Sequence, residues 1–441
     1  MRQMVSIHPP SGFRDFIQHE ALRRFKLMRL ISEVYQSFGF WPLETPAVEH
    51  LDILMGQGGG GDENEKLIFK ILKRGAKLEE ALQNENKIAE VGLRFDMTLP
   101  LSRVVALHRN QIRLPWKVFH LGPVWRAERP QRGRFREFIQ CDVDIVGATG
   151  VGAELEVIQA VVHAIHKVGA RGFELRLNDR RLIQALGEKF GFIGARLDSF
   201  AVLLDKKDKM EWDEWMDQVS QLSGSQLPQN LVTILKNGLS LDAAREFHDP
   251  AARDLKTLIS LLEALNLPLE RIVFDATLVR GMAYYTGSVF ELRHSSAGYS
   301  FGGGGRYDQL IGRWSAQEIP ACGFSLGFER LTLLLAENES QQSNSQKLIF
   351  IPVFDEKLRG KILSLASSLR THGKVVVDVF PEQAKVKKQF KFASEMGYRW
   401  VLIAGEEEWV NHVFKLKDFS TGEEKEIPES EINEYLRGVW A

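Results

Sequence analysis

The segment AENESQQSNSQ, Ala336 to Gln346, is polar, poor in apolar residues and without periodicity, and it limits what the rest of the chain can be. Such composition reads as a linker. A chain of 441 residues also exceeds what one hydrophobic core normally holds. The expected organisation is therefore a large domain over 1–335, a linker over 336–346 and a small domain over 347–441. Beyond the linker, KLIFIPVF, KVVVDVF, RWVLIAG and HVFKLKD alternate with helical segments. That is the pattern of a small α/β domain with a largely parallel sheet.

Before the linker, Leu22, Phe25, Met28, Ile31, Tyr35 and Phe38 fall at helical spacing and Gly39 follows as a stop. FWPLETPAVE comes next, and its prolines Pro42 and Pro46 favour an edge strand or an interface. Gly92 to Gly147 is rich in strand patterns, and Ala153 to Val168 is helical. Residues 175–270 carry periodic leucines and read as a mostly helical insertion. Strand signals resume at RIVFDATLVRG and SVFELRH.

Composition excludes more than it selects. With 44% hydrophobic and 26% charged residues the chain is ordinary globular protein. Its formal net charge is −1, so any polyanion must be met by a local patch. The two cysteines, Cys141 and Cys322, form no C-x-x-C pair, which argues against a disulfide framework or a structural zinc site. There is no signal-peptide pattern and no apolar run near the ~20 residues of a membrane span. A cytoplasmic location is expected.

The densest chemistry lies in WRAERPQRGRFREFIQ, with five arginines between Arg126 and Arg136 around a hairpin-like turn. A planar guanidinium binds phosphate bidentately, but composition alone leaves solvated surface, phosphate binding and a protein interface all open. Phe138 is either an apolar face for a base or simply core. The glycine runs Gly58–Gly61 and Gly302–Gly305 lack the Lys-Ser or Lys-Thr of a phosphate loop, and flexible or closely packed backbone is the simpler reading, although Arg306 and Tyr307 after the second run leave close approach to a ligand open. Asp142 and Asp144 share one strand face, and with Asp96 they could serve as acids, as metal ligands or as binders of a cation. Alternation alone favours two exposed aspartates. The histidines show no H-E-x-x-H spacing, and Lys385, Lys387, Lys388 and Lys391 read as one solvated helix face.

Taken in order, these segments resemble the class II aminoacyl-tRNA synthetases, and among them the histidyl-tRNA synthetases. GFWPLETPAVE resembles motif 1, GPVWRAERPQRGRFREFIQCDVDIVG motif 2 and GFSLGFERLTLLL motif 3. LVRGMAYYTGSVFE and GGRYDQL are similar to the histidine-specific segments, and the last ninety-odd residues to the anticodon-binding domain. The resemblance implies an α+β catalytic domain with a central antiparallel sheet and a helical insertion, plus a small C-terminal α/β domain. It implies a homodimer through motif 1, and ATP with Mg²⁺, L-histidine and tRNA(His) as partners. No metal site built by protein side chains is expected.

Residue by residue, the resemblance places Arg126, Arg280 and Arg330 at the reacting phosphate and carboxylate. Glu128 and Phe138 would lie near the adenine, with Arg126 and Arg330 also on ATP. Asp96, Thr98 and Gln140 would hold the α-amino group of histidine. Asp144 and Tyr285 would address its imidazole, and Tyr307 would line the same pocket. Arg129, Gln131 and Arg136 would meet the tRNA acceptor end. The chain departs from the family pattern at Ala283, where an aspartate is usual. It departs also at Gly303, where alanine is common and the change is expected to be minor. The competing reading is a non-catalytic histidine sensor, like the regulatory subunit of ATP phosphoribosyltransferase. Such proteins typically lack the C-terminal domain and erode the ATP-binding arginines.

Overall fold

The computed structural model describes residues 6–56, 65–83, 88–131, 133–207, 210–224, 226–280, 284–295, 297, 299–315, 317–338, 348–372, 375–382 and 384–439. It divides into two compact units, Met1–Asn338 and Glu339–Ala441. Of the expected linker, Ala336 to Asn338 end a helix, Phe328–Asn338, and the remainder lies outside the described residues. Gly58–Gly61 and Ala283 lie outside them too. Among the described residues no helix is long and apolar enough to cross a membrane.

The first unit contains β1 (Trp41–Pro42), β2 (Val48–His50), β3 (Lys70–Leu72), β4 (Ala89–Leu93), β5 (Trp116–Trp125) and β6 (Glu137–Val146). It continues with β7 (Phe173–Asp179), β8 (Arg271–Phe274), β9 (Ser288–His294), β10 (Ser300–Arg306) and β11 (Ala321–Gly327). Eight of these form one sheet in the order β1-β5-β6-β11-β10-β9-β7-β8. All pairings from β5 through to β7 are antiparallel, and only the two edge pairs, β1–β5 and β7–β8, are parallel. One face of the sheet is sealed by the helices Gln18–Ser37, Gly152–Lys167 and Leu241–Ala264 over a core that includes Cys141, Val143 and Ile145. Because successive strand side chains alternate, Phe138, Gln140, Asp142 and Asp144 of β6 must face the other way.

Two expectations need correction. The region 175–270 is not helical from its start: FELRLND forms β7, paired on both sides inside the sheet, and the helices run from Arg180 to Ala264. Its alternating pattern was masked by the leucine periodicity that follows. Four of those helices surround a core of their own, with Trp215 and Phe200 at its centre.

The second unit holds β12 (Leu348–Ile351), β13 (Val376–Val379), β14 (Trp400–Ile403), β15 (Val413–Asp418) and β16 (Glu424–Pro428), in the order β13-β12-β14-β15-β16. This sheet is half parallel, not largely so: β12 pairs in parallel with β13 and β14, while β14–β15 and β15–β16 are antiparallel. A parallel crossover needs about a dozen residues or more. The connection from Ile403 to Val413 holds only the short helix Glu406–Asn411. Lys385, Lys387, Lys388 and Lys391 are exposed on this unit, Lys388 and Lys391 beside Glu382 and Glu395.

Candidate active site

The polar face of β6 is met by the segments that carry Asp96 and Tyr285. Alternation decides which β6 residues lie on it, but not that the face is covered. Asp142 and Asp144, which alternation alone would leave exposed, are 3% and 5% accessible, because the tyrosines Tyr284, Tyr285 and Tyr307 close over them. Asp96 comes from the turn before the helix Thr98–Leu107 and is 1% accessible. Its Oδ1 accepts the Leu99 amide at 3.3 Å, and its Oδ2 has no partner among the described residues.

Three carboxylates are thus buried close together, and burial raises each above the usual carboxylate range. Burial raises Asp96 to about 6, partly offset by the Leu99 amide and Arg126. Burial raises Asp144 to about 7, against the Tyr307 hydroxyl, which donates to its Oδ1 at 2.5 Å. Burial, followed by the charge of Asp144, pushes Asp142 well up. His120, across β5 from Asp142, is held down to about 3 by burial and by Arg94, so it brings no compensating charge. Unpartnered buried acceptors remain on Asp96, Gln140 and Asp142. Buried polar atoms of this kind ordinarily have partners, and a ligand rich in N–H donors and positive charge would supply them.

The arginines occupy the next section of the same face. Arg126 donates from Nε to the Phe95 carbonyl at 3.0 Å and lies over the Phe138 ring, 5.0 Å from its centroid. Arg280 pairs with Glu291 at 3.0 Å, and Glu291 is held in turn by Arg293 at 2.5 Å. Arg330 donates to the Ser300 carbonyl, stacks on Tyr299 at 4.9 Å and has Arg280 and Arg134 near it. No ion pair is formed by Arg126 or Arg330 among the described residues, which leaves their charge for an anion.

The glycine run explains how such large groups fit. Gly302–Gly305 is the body of β10. A Cβ on Gly303 would lie 2.5 Å from Cζ of Arg280, and one on Gly305 would lie 2.9 Å from the Tyr285 ring. Arg280 and Tyr285 rest directly on bare backbone. Gly303 was expected to matter little; here an added methyl would collide with the Arg280 guanidinium.

Other predicted residues are placed less centrally. Thr98 opens the helix Thr98–Leu107 close to Tyr284. Glu128 is half-buried, 3.8 Å from Arg134. Arg129 and Gln131 are exposed on the hairpin that the Gln131–Arg134 bridge closes. Arg136 is turned inward: its Nε donates to the Glu128 carbonyl at 3.0 Å and its Nη1 to the Ser11 carbonyl at 3.4 Å. It stitches the hairpin to the N-terminal segment. Sequence reading missed Glu291, Tyr284 and Ser325. It also missed Glu329, whose carboxylate takes both Arg24 nitrogens at 2.6 and 2.8 Å, Arg14 at 3.0 Å and the Ile139 amide at 3.2 Å. A buried acid beside Arg330 in GFER was the only available hint.

A family model described as histidyl-tRNA synthetase matches residues 12–331, and one described as anticodon binding domain matches residues 347–438. A histidine–tRNA ligase of Leifsonia xyli is 39% identical over 389 residues, covering 84% of this chain and 89% of its own. One from Christiangramia forsetii is 34% identical over 454 residues, covering 97% and 98%. The crystal structure of histidyl-tRNA synthetase from a Nostoc species superposes with a TM-score of 0.83 at 25% identity, covering 99% of this chain and 100% of that one. By the extent of these matches, and with its pocket built on the motifs that carry them, the chain belongs to the histidyl-tRNA synthetase family.

Proposed function

We propose that this chain activates L-histidine with ATP to histidyl-adenylate and transfers the histidyl group to the 3′ end of tRNA(His). The observation that carries this reading is the juxtaposition on one sheet face of an acidic, donor-seeking pocket with three arginines. The histidine-sensor alternative is disfavoured because Arg126, Arg280 and Arg330 are all present and residues 347–438 match an anticodon binding domain.

The chemistry follows from charge. The histidine carboxylate attacks the α-phosphorus of ATP and pyrophosphate leaves, so two anions must approach while charge gathers on the phosphoryl oxygens. The carboxylate is already ionised, so no general base is needed. Arg126 and Arg280 would hold the α-phosphate and carboxylate, and preorganised cations in a dry site are worth most. Phe138 and Arg330 would bracket the adenine, with Glu128 at its edge. Mg²⁺ would supply further positive charge to the ATP phosphates; among the described residues no cluster of three metal-ligating side chains is formed. Asp96, Thr98 and Gln140 would take the α-ammonium. Asp144, oriented by Tyr307, would take an imidazole N–H, with Tyr285 on the other ring nitrogen.

Arg129 and Gln131, exposed on the hairpin, are free to meet the acceptor end of the tRNA; Arg136 supports them from behind. A homodimer is part of the same reading: β1 is a sheet edge carrying Trp41 at 70% accessibility, and sedimentation of the purified chain tests it directly. So is a reducing, cytoplasmic setting, which suits two free buried cysteines.

Purified protein is expected to catalyse histidine-dependent ATP–pyrophosphate exchange and to charge tRNA(His). A chain ending at residue 338 should keep exchange and lose most charging. Absence of exchange from folded protein that binds histidine would return the sensor reading.

The acids also set a pH dependence. Asp144 and Asp96 have raised values of about 7 and about 6, so both carry the negative charge that strengthens their bonds to cationic and N–H groups mainly above those values. Histidine KM, measured at saturating ATP, should therefore rise as pH falls from about 8 to about 6, by up to about tenfold per unit below 7. A flat profile across that window would show that the carboxylates stay ionised and that burial is relieved by groups not placed here.

A further inference from the structure

The hairpin of residues 126–136 carries Arg129 and Gln131 exposed near its tip. At its base the Arg126 amide donates to the Arg136 carbonyl at 2.8 Å, and near its tip Gln131 and Arg134 exchange amide bonds of 3.0 and 2.9 Å. A lone two-stranded hairpin is marginal in water, so its direction depends on what holds it from outside. The outgoing arm is held where the Ala127 amide donates to the Leu67 carbonyl at 2.8 Å. The returning arm is held by a segment far away in the chain, residues 11–16.

The Arg136 amide donates to the Gly12 carbonyl at 2.9 Å, and Nη1 of Arg136 reaches the Ser11 carbonyl at 3.4 Å. Gly12 has a φ of +87°, and a Cβ there would lie 2.7 Å from Cγ of Arg136, so the close approach depends on glycine. Two residues on, the Arg14 guanidinium lies over the Phe135 ring, 3.4 Å from its centroid, and its Nη2 donates to Oε2 of Glu329 at 3.0 Å. Glu329 does not depend on Arg14 for its place. Arg24 donates to both of its oxygens, at 2.6 and 2.8 Å, and the Ile139 amide donates to Oε1 at 3.2 Å. Arg14 therefore ties a ring on the hairpin to a carboxylate already fixed to the helix Gln18–Ser37 and to β6.

We infer that Arg14 is a positioning residue for transfer to tRNA, holding the hairpin in the direction that presents Arg129 and Gln131 to the acceptor end. This rests on the proposed role of those two residues and adds the clamp that aims them. The groups assigned to adenylate formation are held without it. Arg126 is anchored on the Phe95 carbonyl, Arg280 on Glu291 and Arg330 on the Ser300 carbonyl, and the Glu128 carbonyl is held by Arg136. Removing Arg14 strands no buried charge either, because Glu329 keeps Arg24. A guanidinium over a ring in a partly desolvated place is worth about tenfold in an equilibrium. A hairpin that points correctly only about a tenth of the time binds its partner about tenfold more weakly.

The test follows both half-reactions on the full chain: histidine-dependent ATP–pyrophosphate exchange, and charging of a tRNA(His) transcript at limiting tRNA. Arg14→Ala should keep exchange within about twofold of wild type and lower kcat/KM for the tRNA about tenfold. Phe135→Leu, which keeps apolar bulk but removes the ring, should give the same split. Joined to Arg14→Ala it should cost no more than about twofold further, because one contact is then removed twice. Equal loss of exchange and charging in Arg14→Ala would make this arginine a support of the whole fold and overturn the inference. Unchanged charging, or losses that multiply in the double variant, would overturn it as well. Arg129→Ala combined with Gln131→Ala isolates the assignment underneath. If that protein charges tRNA normally, the hairpin does not meet the acceptor end, and the role of Arg14 falls with it.

Discussion

Arg280→Ala is expected to lower histidine-dependent ATP–pyrophosphate exchange by about 10²- to 10³-fold in kcat, the usual cost of losing one preorganised donor at a developing oxyanion. The geometry gives the reason. Arg280 is braced before any substrate arrives: Glu291 holds one nitrogen at 3.0 Å, and the flat guanidinium rests against the bare backbone of Gly303. Its remaining N–H groups therefore need no reorganisation when carboxylate and α-phosphate meet. Arg280→Lys should recover little, because an ammonium on a flexible stem cannot keep the Glu291 contact and span two anions as a planar fork does. Histidine KM should move less than kcat, since the α-amino and imidazole contacts assigned to Asp96, Gln140 and Asp144 do not run through this arginine. Exchange within about threefold of wild type in either variant would place Arg280 away from the reacting oxygens.

How far such a site can be read from sequence depends on what each signal encodes. Strand alternation put Asp142 and Asp144 on one face of the strand Glu137–Val146, and they are buried together there. Alternation says nothing about what covers that face, which is why Asp142 and Asp144 were expected in solvent and are found under three tyrosines. Asp96 approaches Asp142 and Asp144 from another strand–helix junction, a long-range fact with no local trace. The glycine run in β10 read as closely packed backbone, but its neighbours, Arg280 and Tyr285, come from a separate segment. Likewise, the arginine cluster looked uniform in composition. Folding divides it: Arg126 lies in the pocket, Arg129 and Arg134 are exposed, and Arg136 is tied to Ser11. Element order was the more legible part, and it failed where one pattern hid beside a stronger one, as β7 did beside the leucine-rich helices.

Gly323→Ala should be nearly as damaging as losing a charged group, although it adds a single methyl far from any phosphate. Gly323 lies opposite Asp144 in the β6–β11 register. A Cβ there would sit 1.7 Å from Oδ1 of Asp144 and 2.7 Å from its carboxyl carbon, so the carboxylate has to leave its position. Tyr307, whose hydroxyl donates to that same oxygen, cannot follow: it is 2% accessible and pinned by Tyr284. The substitution therefore breaks a charge-assisted hydrogen bond of about 1.5–3 kcal/mol and misaims the acceptor that reads the imidazole. Histidine KM should rise by about 10- to 100-fold while ATP KM holds, because the methyl lies on the amino-acid side of the pocket. The same exchange at Gly360, where a Cβ meets nothing within 4 Å, controls for backbone effects and should leave both constants unchanged. An unaltered histidine KM in Gly323→Ala would mean that Asp144 does not read the ring. A rise in ATP KM alone would mean that the pocket has been assigned to the wrong substrate.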